Sequence, residues 1–235
     1  MISKSYLSFK NQLEAAKSLY EILPIIEISK TKPILVASSL ESIFLVNEIA
    51  KILKLSYEIL FTEKIYSPIN QECLIAMVSE TEEIVIIDEL VNAFGISLDY
   101  VYGEGHRKYE EKILKNIYKY RKGMLIQNFK NKDVILIDKG CETGITVLTC
   151  IKSIMNLNPR SISYATPLIA NDVALNLNSV IDQIYAVHKI SNFVNVDFYY
   201  NEKLDLTPGK IISILEESPY YLPLQKEIEG EENAN

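Results

Sequence analysis

Apolar residues in this chain fall in short unbroken runs, separated by stretches of helical spacing. Residues 34–37 (ILVA) and 134–137 (VILI) carry no polar side chain, which suits strands covered on both faces and so a parallel sheet. Residues 57–61, 161–167 and 181–187 read as three further strands, while 73–78 and 84–87 read as a two-stranded hairpin around the acidic turn 79–83. Helical spacing runs over 7–23, closed by Pro24, and over 43–55, with Val46, Ile49, Ala50 and Leu53 facing inward. It returns at 147–155 and 170–177. Gly95 stops a short helix at 90–94, a long polar helix covers 98–122, and Thr207 with Pro208 opens a last helix reaching Leu215.

Alternating strands and helices predict an α/β fold: a doubly wound, mostly parallel sheet flanked by helices, with a small hairpin or hood element. Length favours one domain over 1–216, and the glutamate-rich stretch 217–235, with Pro219 and Pro223, reads as a solvated acidic tail. A formal charge of −7 argues against a duplex nucleic-acid partner, which needs a basic face. Cys73, Cys141 and Cys150 lack paired spacing and a nearby histidine, so neither a metal site nor a disulfide framework is expected. With no signal-peptide pattern and no membrane-length apolar run, a cytoplasmic protein without a membrane partner is expected. His106 and Arg107 fall on the charged helix, where Glu111 and Lys115 form a weak i,i+4 pair, and are read as solvated.

Chemistry concentrates after residues 134–137. Asp138 stands where the strand stops; Lys139, Gly140, Cys141, Glu142, Thr143, Gly144, Ile145 and Thr146 follow, and helical spacing then begins. A strand, a small-residue loop and a helix start aim backbone N–H groups and the positive end of a helix at one spot, which suits a phosphate. An ordinary turn with a threonine cap has the same pattern.

The stretch from Asp138 to Thr146 resembles the phosphoribosyl pyrophosphate loop of type I phosphoribosyltransferases, in which two adjacent acids precede Thr-Gly-x-Thr. That resemblance implies that Asp138 holds ribose hydroxyls and that Thr143, Gly144 and Thr146 cradle the 5′-phosphate. It extends, within one bacterial branch, to about residues 34–215. Ser39, Leu40, Glu41 and Ser42 stand where that branch has its pyrophosphate loop, Pro-Arg-Gly-Gly; Glu63 and Lys64 stand where it has Arg-Lys; Pro68, Asn70 and Glu72 are kept. By the same resemblance Asp138 and Lys64 are the catalytic candidates and magnesium is the cofactor. The ligand is a small phosphoribosyl compound or nucleotide, a flexible flap corresponds to 98–122, and a homodimer is an assembly open to the chain. The aromatic stretch 193–200 either roofs a ligand or packs on the sheet edge.

Lys139 replaces the second acid and Glu63 the arginine. An ammonium at about 4 Å from a centre turning cationic costs on the order of 1–4 kcal/mol, up to roughly a thousandfold in rate. Pairing with Glu63, Glu41 or Glu142 would neutralise Lys139. Two functions therefore stand side by side: a phosphoribosyltransferase, or a non-catalytic nucleotide or sugar-phosphate sensor of the same fold. A purely structural subunit is a third.

Overall fold

The computed structural model describes residues 7–225. Five parallel strands form the main sheet: β1 (Ile34–Ala37), β2 (Tyr57–Ile59), β6 (Asp133–Ile137), β7 (Ser161–Ala170) and β8 (Gln183–Ile190). Their order is β2-β1-β6-β7-β8, so the chain winds outward in one direction from β1 and in the other from β6. Alternate residues of the central strands feed opposite layers, as the two-residue period of a strand requires. Leu35, Ala37, Ile135 and Ile137 face the layer that includes α1 (Gln12–Ile22) and α3 (Ile43–Leu53). Ile34, Val36, Val134 and Leu136 face α7 (Ile145–Met155) and α8 (Asn171–Leu177). This is the doubly wound α/β architecture that the alternation of strands and helices predicts.

The hood has three strands, not two: β3 (Thr62–Tyr66), β4 (Leu74–Ser79) and β5 (Ile84–Ile86), all antiparallel. β3 escapes a hydrophobicity reading because only Ile65 of its five residues is buried. Met77 and Val85 pack on Ile145 at the start of α7, which sets the hood over that helix end. The short helix α4 (Asp88–Ala93) follows β5. The stretch that the resemblance equates with a flap is helical, as its spacing predicts: α5 (Leu98–Lys108) and α6 (Leu114–Arg121) joined by a widened turn at Tyr109–Ile113. Val101, Ile113 and Ile117 anchor it, and Gly105 lies so near Ile84 that a Cβ would meet Cδ1 at 2.6 Å.

Among the boundaries that differ from the sequence reading, three have a clear physical reason. Pro24 precedes a further helix, α2 (Ile25–Thr31), because proline lacks an N–H that a helix start does not need. β7 continues past Pro167 to Ala170; the ladder to β6 ends at Ala165, so the missing N–H costs that pairing nothing. The described part of the expected tail, residues 217–225, packs on the fold: beyond α9 (Pro208–Glu216) the Tyr57 N–H donates to Tyr220 O at 2.8 Å, and Tyr221 is fully buried. Its hydroxyl donates to Tyr120 O at 3.0 Å. Residues 226–235 of the expected tail lie outside the described residues. Among the described residues no helix is long and apolar enough to cross a membrane.

Candidate functional site

Between β1 and β6 the winding reverses, and a crevice opens at the C-terminal strand ends where the two outgoing loops diverge. A cleft of about 900 Å³ lies there, lined by both loops, the hood and the segment 195–203. Asp138, Lys139, Thr143 and Thr146 from the second loop, Ser39 and Glu41 from the first, and Glu63 and Lys64 from β3 all border it.

The second loop is built from its ends inward. Cys141 ties it to β7: its N–H donates to Leu168 O at 2.9 Å, and its carbonyl accepts from Ala170 N at 3.0 Å. Its thiol is buried and its pKa pushed up to about 12 by burial, which makes Cys141 a packing residue rather than a nucleophile. Gly144 adopts φ +80°, and a Cβ there would meet Val173 Cγ1 at 2.7 Å, so only glycine fits this helix entry. Leu148 is the first residue of α7 to reach a carbonyl, Gly144 O at 2.8 Å. Among the described residues, the N–H groups of Thr143, Ile145, Thr146 and Val147 find no backbone acceptor. The Ile145 side chain is buried in the hood contact, Thr143 and Glu142 are exposed, and Thr146 Oγ1 donates to Met77 Sδ at 3.4 Å.

The first half of this loop is occupied differently. Ser42 Oγ donates to Asp138 Oδ1 at 2.8 Å, and the Lys139 N–H donates to the same oxygen at 2.7 Å. Asp138 is buried; burial raises its pKa despite hydrogen bonds from Ser42, the Lys139 N–H and Ser38. It therefore braces the two loops against each other. Lys139 Nζ lies 2.5 Å from Glu41 Oε2, one of the three carboxylates the sequence offered, and 3.4 Å from Asp197 Oδ1, which sequence reasoning missed. Burial alone would lower the Lys139 pKa, but these two carboxylates more than offset that and hold it above the ordinary lysine value. Leu40 packs against the main core, and Ser39 Oγ lies 3.0 Å from Ser42 Oγ.

The aromatic stretch 193–200 straps this half of the loop. Val196 sits where a Cβ on Gly140 would meet it at 2.7 Å, and Tyr200 Oη donates to Lys139 O at 2.6 Å. Asp197 also pairs with Lys203 at 3.2 Å, and its carboxyl is held below its usual pKa by Lys203 and then Lys139. Lys64 is exposed on β3 at the cleft rim, opposite Met77 in the ladder. Glu63 is half-buried and its pKa is raised by burial, with Lys108, Lys112 and Lys64 acting in the opposite direction. His106 and Arg107 pair with glutamates of their own helical run and stay exposed.

Magnesium has little purchase on this donor set. Glu41 and Asp197 face the Lys139 ammonium and Asp138 is spent on Ser42 and Lys139, so the carboxylates of this loop pair do not fit a resident hard cation.

No protein-family model matches this chain, and no curated protein matches it. Among solved structures, TT1426 from Thermus thermophilus superposes with a TM-score of 0.72 at 20% identity, over 90% of this chain and 99% of that one. A purine phosphoribosyltransferase from Pyrococcus horikoshii Ot3 matches at TM-score 0.40 and 12% identity, over 74% of this chain and 81% of that one. The hypoxanthine-guanine phosphoribosyltransferase of L. donovani matches at TM-score 0.41 and 10% identity, over 79% and 85%. The last two superpose too loosely to carry residue roles across. What the chain shares with TT1426 is its fold.

Proposed function

We propose that this protein binds a phosphorylated ribose compound, with the phosphate on the amides of Thr143, Ile145, Thr146 and Val147 and the remainder in the cleft. One observation carries the reading: a helix N-terminus with four N–H groups that lack a backbone acceptor opens onto a large cleft at the reversal point of a parallel sheet. The resemblance of the loop to the phosphoribosyl pyrophosphate motif supplies the ligand class, and transfer of phosphoribose to a nitrogenous base is the reaction that class performs. Backbone donors would hold the phosphate, Thr143 and Thr146 hydroxyls would add donors, and Lys64 would stand at the open rim.

Binding without turnover is the second reading, and the Lys139 ion pairs favour it. A lysine locked between two carboxylates stands where the loop motif has its second acid, so the carboxylate that would hold a ribose hydroxyl and favour a cationic reacting centre is missing.

Calorimetry with phosphoribosyl pyrophosphate and with nucleoside monophosphates tests the binding, and release of pyrophosphate in the presence of purine bases tests turnover. Thr143→Asp is the diagnostic variant. Its carboxylate, just before the helix, should leave the Tm unchanged or raised, because acids are favoured there. It should also weaken every phosphate ligand by about tenfold or more through repulsion. Binding undiminished in Thr143→Asp, or none in the unaltered protein, removes the reading.

A further inference from the structure

The two ends of the cleft differ in chemistry. At one end stand the bare amides of α7. At the other, four charges alternate in sign: Glu41 to Lys139 at 2.5 Å, Lys139 to Asp197 at 3.4 Å, and Asp197 to Lys203 at 3.2 Å. Both ammonium groups at this end are thus already matched by carboxylates. Exposure separates the members of this chain: the Lys139 side chain is only 18% exposed, Glu41 is 69% exposed and pairs with Lys139 alone, and Asp197, 52% exposed, is also covered by Lys203, itself 70% exposed. Beyond the chain of charges lies a smaller chamber of about 280 Å³, which shares Glu41, Lys139, Asp197 and Lys203 and adds Glu202 and Asp205. Gln12, also on its wall, is buried, and its Oε1 has no hydrogen-bond partner. Surroundings therefore turn from bare donors at the amides to paired charges at this end, where Glu41 is the most exposed carboxylate of the chain of charges and has Lys139 as its one partner among the described residues.

We infer that Glu41, assisted by Asp197, sets ligand specificity: the site takes a phosphate monoester whose far end is neutral or bears hydrogen-bond donors, and rejects a second phosphoryl group across the ribose. The inference rests on the phosphate reading of the loop and narrows it. For a second phosphoryl group to use Lys139, it must break that residue's ion pairs and leave Glu41 unpaired, with Asp197 held by Lys203 alone, both facing an anion. A neutral or donor-bearing group meets no such conflict.

The test is calorimetry in the presence of a chelator, so that no cation masks the ligand's charge, with ribose 5-phosphate and phosphoribosyl pyrophosphate as paired probes. The unaltered protein should bind the monoester at least about tenfold more tightly, a difference of about 1.4 kcal/mol. Glu41→Gln, which keeps size and removes charge, should shift the ratio toward phosphoribosyl pyrophosphate by roughly tenfold, and Asp197→Asn should shift it the same way. Equal or tighter binding of phosphoribosyl pyrophosphate by the unaltered protein overturns the inference while leaving the phosphate reading intact. A ratio unmoved in both variants overturns the assignment to these carboxylates. Failure of both probes to bind removes the phosphate reading and this one with it.

Discussion

Arg121 and Lys139 each lie between two carboxylates, but one is sealed in the protein and the other is not. Arg121, 1% exposed, pairs with Glu80 and lies 3.9 Å from Glu58 Oε1, with its guanidinium 4.9 Å from the centre of the Phe61 ring. Glu80 also accepts from Phe61 N at 3.0 Å, so the hood turn, the end of α6 and β2 meet at one buried joint. Lys139 joins two loops and a strap at the edge of a cleft, with partners that are more than half exposed. Water makes the difference. A buried ion cannot lose its partner without being stranded, whereas carboxylates at a cleft edge can return to solvent. The first cluster is a fastening of the fold, and the second is a place where charge can be exchanged with a ligand.

Arg121→Ala is the most severe way to break this contrast. It leaves Glu80 buried and uncompensated, and should cost about 3–5 kcal/mol in chemical denaturation. The triple variant Arg121→Met, Glu80→Leu and Glu58→Gln removes all three buried charges and should recover most of that loss, since uncharged replacements of buried ions are often neutral or stabilising. A single-variant cost under about 1 kcal/mol would mean that the joint is solvated after all.

Asp138 offers an intermediate case, because it is buried but sits directly beneath the Lys139 loop. Its folded pKa is raised, so the stability it contributes is fully present below the ordinary aspartate value and is lost as pH rises through the folded value. Ionising this carboxyl therefore costs more in the folded protein than in the unfolded chain. Asp138→Asn keeps an acceptor for Ser42 and for the Lys139 N–H. It should raise stability at pH 7 by on the order of 1 kcal/mol, with the gain shrinking as thermal unfolding is followed down toward about pH 4. A gain in stability accompanied by weaker ligand binding would identify Asp138 as a group kept for the site at the expense of the fold.

These two clusters were not equally legible in the sequence. The strand 134–137, the small-residue loop and the helix after it could be read from unbroken apolar residues and the glycines, and the pairing of Lys139 with a nearby acid from reversed charges. Asp197 could not, since an acid inside an aromatic run gives no sign of what it faces 58 residues away. Arg121 looked like one more charge on a polar helix. Its burial depends on Glu80, 41 residues distant, on a hood turn whose first strand is mostly polar. Tyr221 was hidden by its acidic neighbours, although the run YYLPL beside it is apolar enough to dock. Local spacing fixes strands and helix entries; partners across the fold need the register of other elements, which one sequence does not carry.

The mildest expected change is Lys139→Ala, and it isolates the exposed half of the comparison. Glu41 and Asp197 lose a partner but stay in water, and Asp197 keeps Lys203 at 3.2 Å. The backbone N–H of residue 139 still donates to Asp138, and its carbonyl still accepts from Tyr200, so the loop keeps its shape without the side chain. Loss of stability should stay below about 1 kcal/mol, as for exposed ion pairs in general, and raising the salt concentration should shrink it further. Glu41, newly unpaired, would, however, face the cleft. A phosphorylated ligand should bind more weakly to Lys139→Ala even though the fold hardly notices, which is the reverse of Arg121→Ala, where the fold suffers at a joint that does not line the cleft. A stability loss of several kcal/mol for Lys139→Ala would erase the distinction and make the lysine a second fastening.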